Sequence, residues 1–203
     1  MQKVIIFLIL LVANQAFSQR DSVNEVNEIN KFQQALNDEY RDATKSPLTK
    51  DDRARFSAHE FFPVNLKFRV VATLRVTANT PFFQMKTTSI RASEERIYGY
   101  VEFSLDGNRL RLPVYQSSRL LKTQEYSDYL FFPFTDLTNG AESYHGGRYI
   151  DLRIPVGEEI IIDFNKAYNP YCAYATGFSC PIVPKENHID IRITAGIKYR
   201  EKK

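Results

Sequence analysis

Residues 66–76 read LKFRVVATLRV. Leu66, Phe68, Val70, Ala72, Leu74 and Val76 alternate with Lys67, Arg69, Val71, Thr73 and Arg75, so an extended chain here turns an apolar side inward and a mostly polar side to water. This period of two decides the fold class, because it recurs downstream with no helical pattern between repeats. Segments 82–88, 96–105, 109–116, 130–134, 149–154, 159–164 and 189–199 carry the same β character. Asp106-Gly107-Asn108 is a tight-turn signal, so 96–116 reads as a hairpin. Pro155-Val156-Gly157 is expected to join 149–154 and 159–164 into a second hairpin. About eight strands without βαβ alternation predict a mainly β protein, an antiparallel β-sandwich or an open barrel.

Upstream the period changes. Val26, Ile29, Phe32, Leu36 and Tyr40 recur every three or four residues, which predicts an N-terminal amphipathic helix over 22–42. Ser22 and Glu25 have capping-box spacing, Pro47 ends the pattern, and a short second helix is expected from Thr49 to about Phe56. Farther upstream, Lys3 precedes ten apolar residues, Val4 to Ala13, and Ala16-Phe17-Ser18 has the small-x-small form of a leader-peptidase site. Ten apolar residues fall short of the ~20 that a membrane-spanning helix needs. The expected organisation is therefore a signal peptide at 1–18 cut after Ser18, a helix and connector at 19–48, and one β-rich domain at 49–203. A periplasmic or secreted protein follows, with no transmembrane segment after cleavage. Cys172 and Cys180, the only cysteines, would then meet an oxidising compartment, where a disulfide is expected.

The chain has 203 residues, 43% hydrophobic and 25% charged, a balance that excludes a disordered or low-complexity protein. A net charge of +3 is too small a surplus to mark a nucleic-acid partner. No phosphate loop, dinucleotide fingerprint, hydrolase elbow, CxxC pair or HExxH is present, and no cofactor is expected. A thiolate–imidazole set of Cys172, Cys180, His188 and His145 lacks the spacing of a zinc finger or ribbon, so no metal is expected either.

Polar chemistry concentrates between 134 and 196. Tyr144-His145-Gly146-Gly147-Arg148 combines a permissive backbone with a guanidinium fork suited to carboxylate or phosphate. Asp163 and Asn165 project to one side at a strand end, ahead of Tyr168, Asn169 and Tyr174. Five of the twelve tyrosines fall between 144 and 174. Such a cluster suits either the rim of a binding site or a polar network that holds a long loop down.

These same residues carry a resemblance. GRYIDL at 147–152, DFNKAYNPYCAY at 163–174, CPIVPKEN at 180–187 and ITAGIKY at 193–199, preceded by LFFPFTDLTNGAESYHGG and HEFFPVNLKFRVVA, resemble the DUF1684 family, over most of residues 50–198. The resemblance carries the signature positions Asp136, Thr138, Gly140, Tyr144, Gly147, Arg148, Tyr149, Asp151, Asp163, Asn165, Tyr168, Asn169, Pro170, Cys172, Tyr174, Cys180, Pro181, Glu186 and Asn187. The chain departs from the family pattern with fewer prolines around Cys180 and with Ile197 where an acidic residue usually follows the last Ala-Gly. The resemblance implies a fold and a residue set but no reaction.

Three functions stay open on the sequence. The first is binding of a small polar or anionic ligand or envelope component by Tyr144, His145, Arg148, Asp151, Asp163, Asn165, Tyr168, Asn169, Tyr174, Glu186 and Asn187. The second is a hydrolase with Asp163 or Glu186 as base, His145 as shuttle and Arg148 as anion stabiliser. The third is an envelope-assembly module with no ligand, in which the polar cluster only braces a loop. No partner protein is indicated.

Overall fold

The computed structural model describes residues 2–199, with side chains from residue 21 onward, so the leader reading of 1–18 rests on side chains outside those described. Helix α1 (Gln2–Arg41) is continuous. It passes through Ser22 instead of starting there, because no glycine or proline stands between the apolar run of residues 4–13 and the amphipathic stripe to break the backbone ladder. Ile29 and Tyr40 of the stripe are fully buried. Helix α2 (Lys50–Arg55) is capped by Thr49, whose side chain accepts from the Asp52 amide, with Asp51 and Asp52 complementing its dipole. Among the described residues no helix is long and apolar enough to cross a membrane.

Eight strands follow: β1 (Arg69–Val76), β2 (Phe83–Met85), β3 (Ser93–Leu105), β4 (Asn108–Ser117), β5 (Tyr129–Asp136), β6 (Arg148–Arg153), β7 (Glu159–Asp163) and β8 (His188–Ile189). Six of them form one path, β6-β5-β4-β3-β1-β7, with every neighbour antiparallel; β2 adds to β3, and β8 lies parallel to β5. The result is a single curled half-barrel sheet, so of the two expected architectures the open barrel is the one formed. The β3–β4 hairpin closes as its turn predicts: Asp106 and Gly107 both take positive φ, and Leu105 pairs with Asn108.

The second expected hairpin does not form. Strands β6 and β7 are the two ends of the sheet path, and residues 154–158 carry the chain from one edge to the other. So short a connector spans roughly 20 Å at most, which is a measure of how far the sheet curls.

The concave side is filled by Leu74, Val101, Phe103, Leu112, Val114, Leu130, Phe132, Phe134, Ile150, Leu152, Ile160, Ile162 and Phe164. The last expected strand, 189–199, is also corrected. Ile189, Ile191, Ile193, Ala195 and Ile197 do alternate inward, but only His188–Ile189 pairs with the sheet. The remainder lies inside as irregular chain, which raises the question of where its backbone hydrogen bonds go. Arg148 answers for much of it. Its fully buried guanidinium donates to the carbonyls of Ile193 (2.9 Å), Ala195 (2.5 Å) and Ile197 (3.3 Å), and to Asp136 Oδ2 at 2.5 Å. Gly147 makes the approach workable: at φ +91° an added Cβ would lie 2.7 Å from the Phe134 carbonyl oxygen.

Candidate functional site

The convex face carries a second, smaller apolar cluster of Met85, Tyr115, Phe131, Tyr149 and Val183. A β-bulge creates the polar part of this face. Ile97 pairs with Tyr115 but Gly99 pairs with Val114, so one extra residue is inserted in β3. Beyond the bulge Val101, Phe103 and Leu105 point into the core. Before it the parity reverses, and Ser93, Glu95 and Ile97 share the outer face with Tyr115 and Ser117. The row continues through Phe131, opposite Tyr115, and Asp151, opposite Phe131.

Two further elements cover that row. Phe32, Leu36, Glu39 and Tyr40 of α1 form one wall, and the 168–181 loop forms another, leaving between them a half-open cavity of about 470 Å³. The loop is fixed at three places. Cys172 and Cys180 are disulfide-bonded, the Cys180 amide and carbonyl bond to Thr88, and the Tyr149 hydroxyl donates to the Pro181 carbonyl.

Asp151 stands at the mouth of the cavity, its Oδ1 accepting from the hydroxyls of Tyr129 (2.7 Å) and Tyr168 (2.6 Å). Glu95 is only 3% exposed; Oε1 accepts from Ser93 at 2.6 Å, whereas Oε2 is buried without a hydrogen-bond partner. Burial pushes the Glu95 carboxyl above the usual range, against the opposing pull of the Ser93 and Ser117 hydroxyls and Arg119. Burial also raises the phenols of Tyr129, Tyr168 and Tyr149, and the Asp151 charge adds to this at Tyr129 and Tyr168. These tyrosines therefore stay neutral at any physiological pH and act as hydroxyl donors, not as bases. Phe131 packs edge-on to Tyr149 with centroids 4.8 Å apart, and Tyr171 packs on Phe178 at 5.2 Å.

Of the eleven residues singled out from sequence, the cavity brings together Asp151 and Tyr168. The others occupy separate networks. Arg148 and Asp136 lie in the interior. Asp163 Oδ1 accepts from the Asn165 backbone and side-chain amides, while the Asn165 side chain exchanges two hydrogen bonds with the Asn65 backbone, tying 65 to 165. Asn169 donates to the Tyr174 hydroxyl at 2.8 Å and to the Lys198 carbonyl. Glu186 and Asn187 both accept from the buried Tyr115 hydroxyl. Tyr144 is buried with its ring 4.4 Å from that of exposed His145. Asp163, Glu186, His145 and Arg148, the expected hydrolase set, thus stand in four different places. His188, the remaining member of the thiolate–imidazole set, has its Nδ1 3.0 Å from the Thr135 hydroxyl.

Sequence reading missed Glu95, Ser93, Ser117, Tyr129 and Phe131. Alternation in β3 read straight through would have placed Glu95 on the core side, and a bulge leaves no mark in the hydrophobic pattern beyond Gly99 itself. A second cavity, of about 800 Å³, lies between α2 and the tail and is lined by His59, Tyr174, Lys198 and Tyr199. His59 packs edge-on to Tyr40 at 4.2 Å, and its Nε2 is buried without a partner. Burial, with Arg41 adding to it, lowers the imidazole to about 4.

The comparisons with known proteins agree with this fold. The family model described as "Protein of unknown function (DUF1684)" matches residues 54–198. The solution NMR structure of the uncharacterized protein from gene locus rrnAC0354 of Haloarcula marismortui is similar at 30% identity and a TM-score of 0.69, over 89% of this chain and 97% of that one. No curated protein matches.

Proposed function

The chain belongs to the DUF1684 family of proteins of unknown function, and from that premise we propose that it is an exported binding protein for a small polar ligand, held in the tyrosine-walled cavity beside Asp151 and Glu95. The observation that carries the reading is Glu95, a buried carboxyl in the wall of a cavity, with Oε2 unpartnered and no cation paired to it among the described residues. A buried acidic group without a compensating partner costs free energy, and a polar ligand group seated in the cavity recovers part of that cost. Asp151, held in one orientation by two tyrosine hydroxyls, supplies a second polar group that needs no reorganisation on binding. The anionic arm of the ligand expectation loses its support, since Arg148 is fully buried and its two terminal nitrogens donate to Asp136 and the C-terminal tail. Export is supported by the leader pattern of residues 1–18 and by the Cys172–Cys180 bond.

Intact mass tests the export part. Protein recovered from a bacterial periplasm without reductant is expected to begin at Gln19 and to lack two hydrogens. A mass that includes residues 1–18, or a cytoplasmic location, would overturn it. Native mass spectrometry tests the site, with a co-purifying small molecule expected and lost in Asp151→Asn and Tyr168→Phe variants that keep the wild-type circular dichroism spectrum. Ligand retention in both variants would move the site elsewhere. Variants that lose only stability would return the cluster to a bracing role.

A further inference from the structure

We infer that the ligand of this cavity is a small organic cation, a primary or quaternary ammonium on a compact apolar body, drawn by the negative field of Glu39, Glu95 and Asp151 against aromatic rings. This rests on the binding reading above and names the class of molecule bound. Among the described residues three carboxylates line the cavity, and Arg119, exposed at its edge, is the only lysine or arginine that does. Among the described residues none of the three is ion-paired. Other carboxylates are: Asp136 with Arg148, Asp128 with Arg153, Glu142 with Arg192 and Glu60 with Lys198.

What satisfies the three instead is neutral. Tyr129 and Tyr168 donate to Asp151, Ser93 to Glu95, and Tyr171 to Glu39 at 2.7 Å. Hydroxyl donors orient a carboxylate without cancelling its charge, so Asp151 and Glu39 already outweigh Arg119, and Glu95 adds to the surplus where it is ionised. Each donor set also occupies one oxygen of its carboxylate, leaving Oε2 of Glu95 in particular without a bond.

The wall of the cavity is largely aromatic. Phe32, Phe131, Tyr149, Tyr168, Tyr171 and Phe178 line the same space. Ring faces attract a cation, the more so as the half-open cavity strips part of its water. A metal ion does not fit this arrangement, since no three acidic, histidine or cysteine side chains among the described residues are grouped to hold one. A neutral polyol would find acceptors but leave the charge uncompensated. An anion would meet three carboxylates and one arginine.

The test is calorimetric titration of the full chain at fixed ionic strength with four probes: tetramethylammonium, benzylamine, sorbitol and inorganic phosphate. Both ammonium probes are expected to bind and compete, while sorbitol and phosphate give no heat. Glu95→Gln keeps the side-chain shape and removes the charge; it is expected to weaken ammonium binding tenfold or more. Asp151→Asn, at an exposed position that tolerates the change, is expected to weaken it severalfold. Arg119→Gln removes the one opposing charge and is expected to tighten binding. Sorbitol or phosphate binding in place of the amines overturns the cation inference and leaves the binding site standing. Ammonium binding unchanged by both Glu95→Gln and Asp151→Asn places the cation elsewhere and also overturns it. If no probe of any class binds, the inference and the binding reading fall together.

Discussion

Replacing Arg148 with methionine tests the central claim about how this fold is held together. The guanidinium is fully buried, pairs with an equally buried Asp136, and receives the carbonyls of Ile193, Ala195 and Ile197. Its cationic face also lies 5.1 Å from the Phe134 ring centroid. Methionine restores part of the volume but none of the donors. Breaking a buried pair by removing one partner costs about 3–5 kcal/mol, because the other charge stays behind. The three carbonyls lose roughly 1 kcal/mol each in net hydrogen bonding, although water reaching a loosened tail recovers part of it. Asp136 keeps the Thr138 amide and hydroxyl on Oδ1, which limits its loss. The expected cost of Arg148→Met is therefore about 5 kcal/mol, against a total stability of about 5–15 kcal/mol for a domain. Urea unfolding followed by circular dichroism measures it, and the accompanying fall in Tm is roughly 10–20 °C. Hydrogen exchange should show residues 190–199 losing protection first. Arg148→Lys keeps the charge but loses the planar fork, so it is expected to recover no more than about half of the loss. A cost below about 1.5 kcal/mol with the tail still protected would refute the bracing argument. Full recovery by lysine would show that charge alone, and not the fork, matters.

Other perturbations follow from the same structure. The disulfide closes a loop of nine residues counting both cysteines, so the Cys172→Ser, Cys180→Ser double variant is expected to lose ~2.5 kcal/mol in urea unfolding and to loosen the 168–181 wall; an unchanged midpoint would show that the hydrogen bonds to Thr88 and Tyr149 hold the loop without it. The His59 imidazole is lowered to about 4 in the fold, so the unfolded chain takes up its proton first as pH falls. Its contribution is complete above about pH 6.5 and is lost between there and about pH 4, costing at most about 3 kcal/mol. His59→Gln should flatten that part of the stability profile, and an identical profile would refute the assignment. Glu95 runs the other way: its carboxyl is raised in the fold, so burial of the charge destabilises increasingly as pH rises above the ordinary carboxylate range. Glu95→Gln should therefore raise Tm at pH 7 and leave it unchanged near pH 4.

The alternation in 66–76 and 96–116, the Asp106-Gly107 turn and the absence of βαβ repeats were enough to specify an antiparallel β protein with an N-terminal helix, because side-chain period and turn chemistry are local properties. The tail shows where local reading stops. Its alternation was correctly inward, yet the pattern reports only which side chains are buried, and a segment packed inside a curled sheet has the same pattern as a strand within one. The connector after β6 failed for a related reason: Pro155-Val156-Gly157 marks a turn, but whether the strands it joins are neighbours or opposite edges depends on how far the sheet curls through the four strands between them.

The candidate site divides along the same line. Sequence identified the polar and tyrosine-rich 144–188 region, because residue types and their density are written in the chain. Tertiary structure decided which of those groups meet. It turned Arg148 inward to serve carbonyls some 45 residues away, set Asn165 and Asn169 to tying loops, and brought Asp151 and Tyr168 beside Glu95, Tyr129 and Glu39 from distant parts of the chain. One inserted residue in β3 reversed the facing of Glu95, and the helix and disulfide loop then closed a cavity over it. Those outcomes depend on strand register and on the packing of remote segments, which no local spacing encodes.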